Sequence, residues 1–195
     1  MRVIAGELRG RRFEAPPGMG TRPMLDRVRE AIFSTLAPWL DGAAVLDLFA
    51  GSGAMSIEAL SRGAERALLV EADPAVRRVE AANVIALGLE ERADLGVGDA
   101  TDPRSWAGGP WDVVFCDPPF PWLRDPARRR AVLAMVGGLL GAPLAPEGVV
   151  VLHVPEGELR EGELDAAARG AGLAGVQAQE RVYGGQSIWY LQPGD

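Results

Sequence analysis

The chain has 195 residues, 48% of them apolar, and a net charge of −7. That length suits one domain with a sizeable single core, and no stretch approaches the roughly 20 uncharged apolar residues that span a bilayer. One cysteine, Cys116, and one histidine, His153, exclude an intrachain disulfide and a Cys/His cluster, so no metal is expected.

The N-terminus meets a charge at once, at Arg2, and lacks the apolar stretch of a signal peptide. A soluble, cytoplasmic, monomeric protein without membrane contact is expected. The charge is unevenly spread. Arg2, Arg9, Arg11, Arg12, Arg22, Arg27 and Arg29 crowd residues 1–30 against four acids, and the rest of the chain is acidic. A solvated arm fits this pattern, and so does a phosphate-binding surface on an acidic body. The absence of lysine excludes a lysine nucleophile and a lysine-type P-loop.

Residues 2–14 alternate loosely and predict a small basic β-hairpin. With the Pro/Gly-rich loop 15–20 they form an arm, 1–20, ahead of a main domain, 21–195. Pro23 suits a helix first turn. Val28, Ile32 and Leu36 recur every four residues and predict a helix ending near Pro38. From residue 43 strands and helices alternate. Strands are predicted at 43–48, 67–70, 93–97, 111–116 and 148–154, and helices at 54–62, 74–87, 125–140 and 158–171. Two last strands, 173–182 and 186–192, meet at Gly184-Gly185. The pattern predicts an α/β fold with a doubly wound, mostly parallel sheet and an antiparallel edge.

The first strand runs into Asp47-Leu48-Phe49-Ala50-Gly51-Ser52-Gly53. Glycines in a strand-to-helix turn let a ligand approach the backbone, and ligands of open α/β sheets sit beyond the carboxyl ends of the strands. A dinucleotide fingerprint requires a third glycine where this chain has Ser56. Asp47 would also repel a pyrophosphate. It suits a cation, and S-adenosylmethionine (SAM) carries an ammonium and a sulfonium. Glu71, followed by Ala72, ends the second strand and suits the ribose hydroxyls. Asp99, followed by Ala100, ends the third and suits the adenine amine. Asp73 suits a helix cap ahead of Pro74.

Asp117-Pro118-Pro119-Phe120 follows the fourth strand. An exocyclic base amine is a poor nucleophile because its lone pair is delocalised into the ring. The Asp117 carboxylate and the Pro118 carbonyl could each accept one amine N–H and aim the lone pair at a methyl donor. Pro118 and Pro119 fix the backbone, and Phe120 could stack on the base. A structural place in the core is expected for Cys116 and a structural role for His153.

Together these segments resemble the bacterial small-subunit (16S) ribosomal RNA guanine-N2 methyltransferase family, RsmD-like. The resemblance rests on Arg2–Gly6 with Arg9–Arg12, on Arg22-Pro23 with Asp26–Glu30 and Phe33, on the turn 47–53 with Glu58–Gly63, and on Asp117–Phe120. It implies a seven-stranded, Rossmann-like SAM-dependent methyltransferase sheet, and S-adenosylhomocysteine as by-product. It also implies N2-methylguanosine in ribosomal RNA of the small subunit as product, with Arg22 and Arg27 near the active-site mouth. Met24-Leu25 departs from the small hydroxyl residues usual there. Other readings remain open at this point: methylation of adenine N6 in DNA or of a protein glutamine, hydride transfer, and a non-catalytic RNA-binding assembly factor. Enzymes of the first two kinds usually carry Asn where this chain has Asp117.

Overall fold

The computed structural model describes residues 1–16 and 24–194. A helix, α1 (Asp26–Leu40), precedes β1 (Ala44–Leu48), α2 (Ala54–Ser61), β2 (Arg66–Glu71), α3 (Pro74–Leu87) and β3 (Ala93–Val97). There follow β4 (Trp111–Cys116), α4 (Pro126–Leu139), β5 (Leu144–Pro155), α5 (Glu161–Gly170), β6 (Val176–Tyr183) and β7 (Gln186–Pro193). The seven strands form one sheet in the order β3-β2-β1-β4-β5-β7-β6. β1 to β5 run parallel, and β7 runs antiparallel to both β5 and β6.

Alternation along the strands builds two cores. Val45, Leu69, Val113, Phe115 and Val151 face α1, α2 and α3. Leu46, Leu48, Val114, Cys116 and Leu152 face α4 and α5. Each fully buried Leu, Ile or Phe among them contributes about 1.5–3 kcal/mol. Strands covered on both faces read as continuous apolar runs rather than alternating ones, as in Val113–Cys116. The chain leaves β1 towards β2 on one side, while β4 pairs on the other. This switch opens a crevice beyond the carboxyl ends of β1 and β4.

Where the structure departs from expectation, local physics explains it. The predicted hairpin of residues 2–14 does fold back, but its ladder is reduced to one antiparallel bridge between Arg2 and Arg12. Backbone bonds still cross it, from Val3 to the Arg11 carbonyl, Gly10 to the Val3 carbonyl and Phe13 to the Met1 carbonyl, while other groups go to the domain. Ile4 and Ala5 donate to the Glu58 carboxylate at 2.8 and 3.0 Å, and Glu7 donates to the Ser61 carbonyl at 2.8 Å. Val3 and Phe13 are buried in the core. α1 passes Pro38 and ends at Leu40. The carbonyl that loses its partner to the proline ring lies in the exposed last turn, and buried Leu40 holds that turn down. Two short 3₁₀ helices, Pro103–Trp106 and Phe120–Leu123, complete the chain path. Pro23 lies outside the described residues.

Candidate active site

The turn after β1 carries the sharpest backbone feature. Gly51 and Gly53 have positive φ, and so does Phe49, a non-glycine residue at φ 62°. At Gly53 the left-handed φ of +77° favours glycine, and a Cβ would in addition stand 2.9 Å from Leu69 Cδ2. Asn83 of α3 clamps the turn from below, donating to the Ser52 carbonyl at 3.0 Å. Ala50 is buried and donates its N–H to the Val70 carbonyl.

Four carboxylates line the same end of the sheet. Asp47 is buried, and a single oxygen, Oδ2, accepts both the Ser56 N–H at 3.1 Å and the Ser56 hydroxyl at 2.9 Å. Its Oδ1 makes no hydrogen bond among the described residues. Burial pushes the Asp47 carboxyl up to about 7; the Ser56 bonds oppose this, and the charges of Asp117 and Glu71 add to it. Glu71 accepts the Gly51 N–H at 3.1 Å and the Asp73 N–H at 2.9 Å, so it ties the glycine turn to the turn after β2. A carboxylate has about four acceptor positions, and these two bonds leave capacity for a ligand. Asp73 caps α3 as expected, and Ala72 between them is exposed. Asp99 accepts the Thr101 N–H and hydroxyl through Oδ1, leaving Oδ2 outward, while Ala100 beneath it is buried.

The fourth, Glu80 of α3, was not singled out from the sequence. It is buried, neither oxygen has a hydrogen-bond partner among the described residues, and burial pushes it up to about 8, with Asp47 and Glu71 adding and Arg77 opposing. A signal was present: Glu80 falls on the helical stripe of Val84 and Leu87, where an apolar residue belongs. Three of these acids, Asp47, Glu71 and Glu80, gather at the glycine turn, which suits a cation and opposes a pyrophosphate. No group of three or more His, Cys, Asp or Glu among the described residues is arranged to hold a metal.

The second half of the site lies beside this turn. Asp117 continues the β1–β4 ladder, its N–H 3.4 Å from the Leu48 carbonyl. Pro118 is buried, and Pro119 caps the 3₁₀ helix that carries Phe120. Arg129 of α4 fixes the far end of that helix, donating to the Leu123 carbonyl at 2.9 Å. Trp122 meets Phe49 edge-on at 5.5 Å, joining the two loops. Cys116 is buried and its thiol is pushed up by burial, which fits a core residue rather than a nucleophile. His153, expected to be structural, lies against Asp117 at 2.9 Å.

The arginines separate. The tip of the N-terminal fold-back packs at the carboxyl ends of α2 and α3. There Leu8 bonds Ser61, and Arg11 bonds the Ala86 carbonyl at 2.8 Å. Arg9, Arg11 and Arg12 are exposed, and the tip holding Arg9 and Arg11 is at the sheet end opposite Asp117. Arg27 reaches the β6–β7 turn, its guanidinium beside Gly184, at the end of the sheet that holds Asp117. Arg22 lies outside the described residues.

This geometry agrees with what the chain is similar to. The family described as "Conserved hypothetical protein 95" matches residues 1–156. The chain belongs to this family. It is 43% identical over 120 residues to ribosomal RNA small subunit methyltransferase D of Escherichia coli (strain K12), covering 62% of this chain and 60% of the relative. The protein of the same name from Haemophilus influenzae is 38% identical over 125 residues, covering 62% of this chain and 64% of the relative. The aligned segment thus spans less than two thirds of either relative. Among solved structures, yhhF from Escherichia coli superposes with a TM-score of 0.77 at 32% identity, covering 99% of this chain and 97% of that one. The family match carries both half-sites, the glycine turn and the Asp117 motif, in one segment.

Proposed function

We propose that this chain is a SAM-dependent methyltransferase that forms N2-methylguanosine in small-subunit (16S) ribosomal RNA, acting as a cytoplasmic monomer. The observation that carries the reading is the placement of Asp117–Phe120 directly beside the carboxylate-lined glycine turn, at the switch between β1 and β4. The names of the relatives favour ribosomal RNA as substrate, and the guanine amine follows from the resemblance of the motif.

The residues fit SAM. Oδ1 of Asp47 and the buried Glu80 would face its positive charges, the spare acceptor positions of Glu71 its ribose, and Asp99 its adenine. SAM supplies an electrophilic methyl group. The chain supplies position and charge: Asp117 and the Pro118 carbonyl take the two amine protons in hydrogen bonds and so localise the nitrogen lone pair. Bound SAM would give its methyl group to that lone pair and would keep the carbon–sulfur electron pair. One amine proton then leaves to Asp117, whose side chain is 44% exposed and open to solvent. Proximity and alignment supply much of the effect, of the roughly 7–11 kcal/mol such placement provides. Phe120 offers a base-stacking face worth about 1–3 kcal/mol, and Arg27 a cation near the mouth.

Labelled SAM incubated with unmodified small subunits, followed by nucleoside analysis, tests the reading. N2-methylguanosine is expected. N6-methyladenosine, or label in protein alone, would replace it with another amine substrate.

A further inference from the structure

His153 lies on β5 level with the residue that follows the end of β4. The register pairs Cys116 with Leu152, so the next residues, Asp117 and His153, meet across β4 and β5. Nδ1 of the imidazole lies 2.9 Å from Asp117 Oδ1. The His153 side chain is 8% exposed and that of Asp117 44%, so a buried ring holds a carboxylate that opens to solvent. Phe120 packs edge-on against the ring at 5.2 Å. On the far side the ring faces Gln186, and among the described residues neither the buried Nε2 nor Oε1 of Gln186 meets the geometry of a hydrogen bond. Gln186 belongs to β7, two residues from Ile188, which pairs with His153, and so it projects from the same face of the sheet.

We propose that His153 is a positioning residue for amine methylation: its Nδ1–H holds Asp117 Oδ1 and so aims Oδ2 at the substrate amine. The inference rests on the methyltransferase reading above. A free carboxylate at a strand end would rotate and present either oxygen in several directions. Tied at Oδ1 to a ring that Phe120 packs against, it presents one oxygen in one direction.

The pair also carries a charge logic. Among the described residues the charged group facing His153 is Asp117, from the end of β4; Gln186 from β7 is neutral and Phe120 is apolar. Burial works against the imidazolium, but the hydrogen bond and charge of Asp117, with Gln186, outweigh it and raise the pKa above the ordinary 6.5. While the ring is doubly protonated, its charge cancels that of Asp117 and weakens the carboxylate as an acceptor of amine protons. Loss of the Nε2 proton leaves Nδ1–H in place, and the Gln186 amide then turns to donate. The methylation rate therefore rises as pH passes through the His153 titration.

Because the chain has one histidine, ¹⁵N-labelled histidine gives a single set of resonances. The test measures the single-turnover methylation rate of small subunits against pH, the SAM affinity, and the histidine titration. Wild-type protein, His153→Leu, His153→Asn and Asp117→Asn are compared. The wild-type rate is expected to show an acid limb above the ordinary histidine value. His153→Leu should lose about 10–100-fold in rate with SAM affinity unchanged. His153→Asn keeps a donor near the place of Nδ1, so it should recover most of the rate and lose the acid limb. Asp117→Asn should move the histidine titration down. A His153→Asn profile with the wild-type acid limb, or a histidine titration indifferent to Asp117→Asn, overturns this proposal alone. Wild-type protein that transfers no methyl group overturns the methyltransferase reading and this proposal with it.

Discussion

Asp47 and Ser56 are joined twice through one atom: Oδ2 of the buried carboxylate accepts both the backbone N–H and the hydroxyl of Ser56. The serine that breaks the dinucleotide fingerprint is therefore the residue that holds the buried acid of this turn. Asp47 is pushed up to about 7, chiefly by burial, so the fraction carrying a charge changes near neutrality. SAM affinity should rise with pH through about 7 and then level off, because only the ionised form attracts the ammonium. Ser56→Ala removes one of the two bonds that favour the charge, worth about 1.5–3 kcal/mol to a charged group. Calorimetric titration at several pH values should show a binding midpoint moved upward and, at pH 7, roughly tenfold weaker binding. A pH-independent affinity would contradict this assignment of Asp47.

Glu80 makes a separate prediction about stability. Its ordinary value of 4.5 is raised to about 8 in the folded chain. Below the ordinary value the group is neutral in both states and costs nothing extra. As pH rises towards 8 the unfolded chain gives up the proton more readily, so stability is progressively lost. Glu80→Gln keeps the neutral shape and should remove this loss. The melting temperature should be higher than wild type at pH 8 and little changed at pH 5, with each 1 kcal/mol recovered appearing as about 2–4 °C. An equal fall at both pH values would mean that the carboxylate is ionised and paired.

The N-terminal fold-back is held by specific bonds rather than left as a free arm. Gly6 has φ +82°, and a Cβ there would collide with the Ser61 carbonyl. Gly6→Ala should therefore release the Glu7–Ser61 hydrogen bond. The left-handed conformation alone costs about 1–2 kcal/mol in a residue with a side chain. Limited proteolysis should cut within residues 1–14 of the variant and spare the wild type. An equally resistant variant would show that this hydrogen bond is dispensable.

Arg9, Arg11 and Arg12 present charge on the exposed side of this fold-back. If they neutralise phosphates, replacing all three with Gln should weaken RNA binding and flatten its dependence on salt, by close to one unit of slope for each phosphate no longer neutralised. SAM affinity should not change. A parallel loss of SAM binding would assign the segment a structural part only.

The sheet was legible in the sequence because buried parallel strands are short apolar runs separated by helical periods, and α3 and β3 match their expected bounds. Asp117–Phe120 and the acids at the ends of β1, β2 and β3 were legible for the same reason: topology puts strand ends together. Partners that meet only through tertiary packing were not. His153 is 36 residues from Asp117, and the two become neighbours only once β5 is known to lie beside β4 in register. Ser56 read as a missing glycine because its hydroxyl has meaning only when α2 folds back over β1. The fold-back of residues 2–14 was legible as alternation, but the bonds that Glu58 and Ser61 take from Ile4, Ala5 and Leu8 were not, because they depend on where α2 packs.

In the proposed reaction Asp117 and the Pro118 carbonyl activate an amine beside bound SAM. Its most direct test is the methyl-transfer rate of Asp117→Ala on small subunits, measured with SAM affinity on the same preparation. Loss of a preorganised acceptor at the reacting atom should cost about 10²–10³-fold in rate, with SAM affinity nearly unchanged. A rate that survives the substitution would contradict the account.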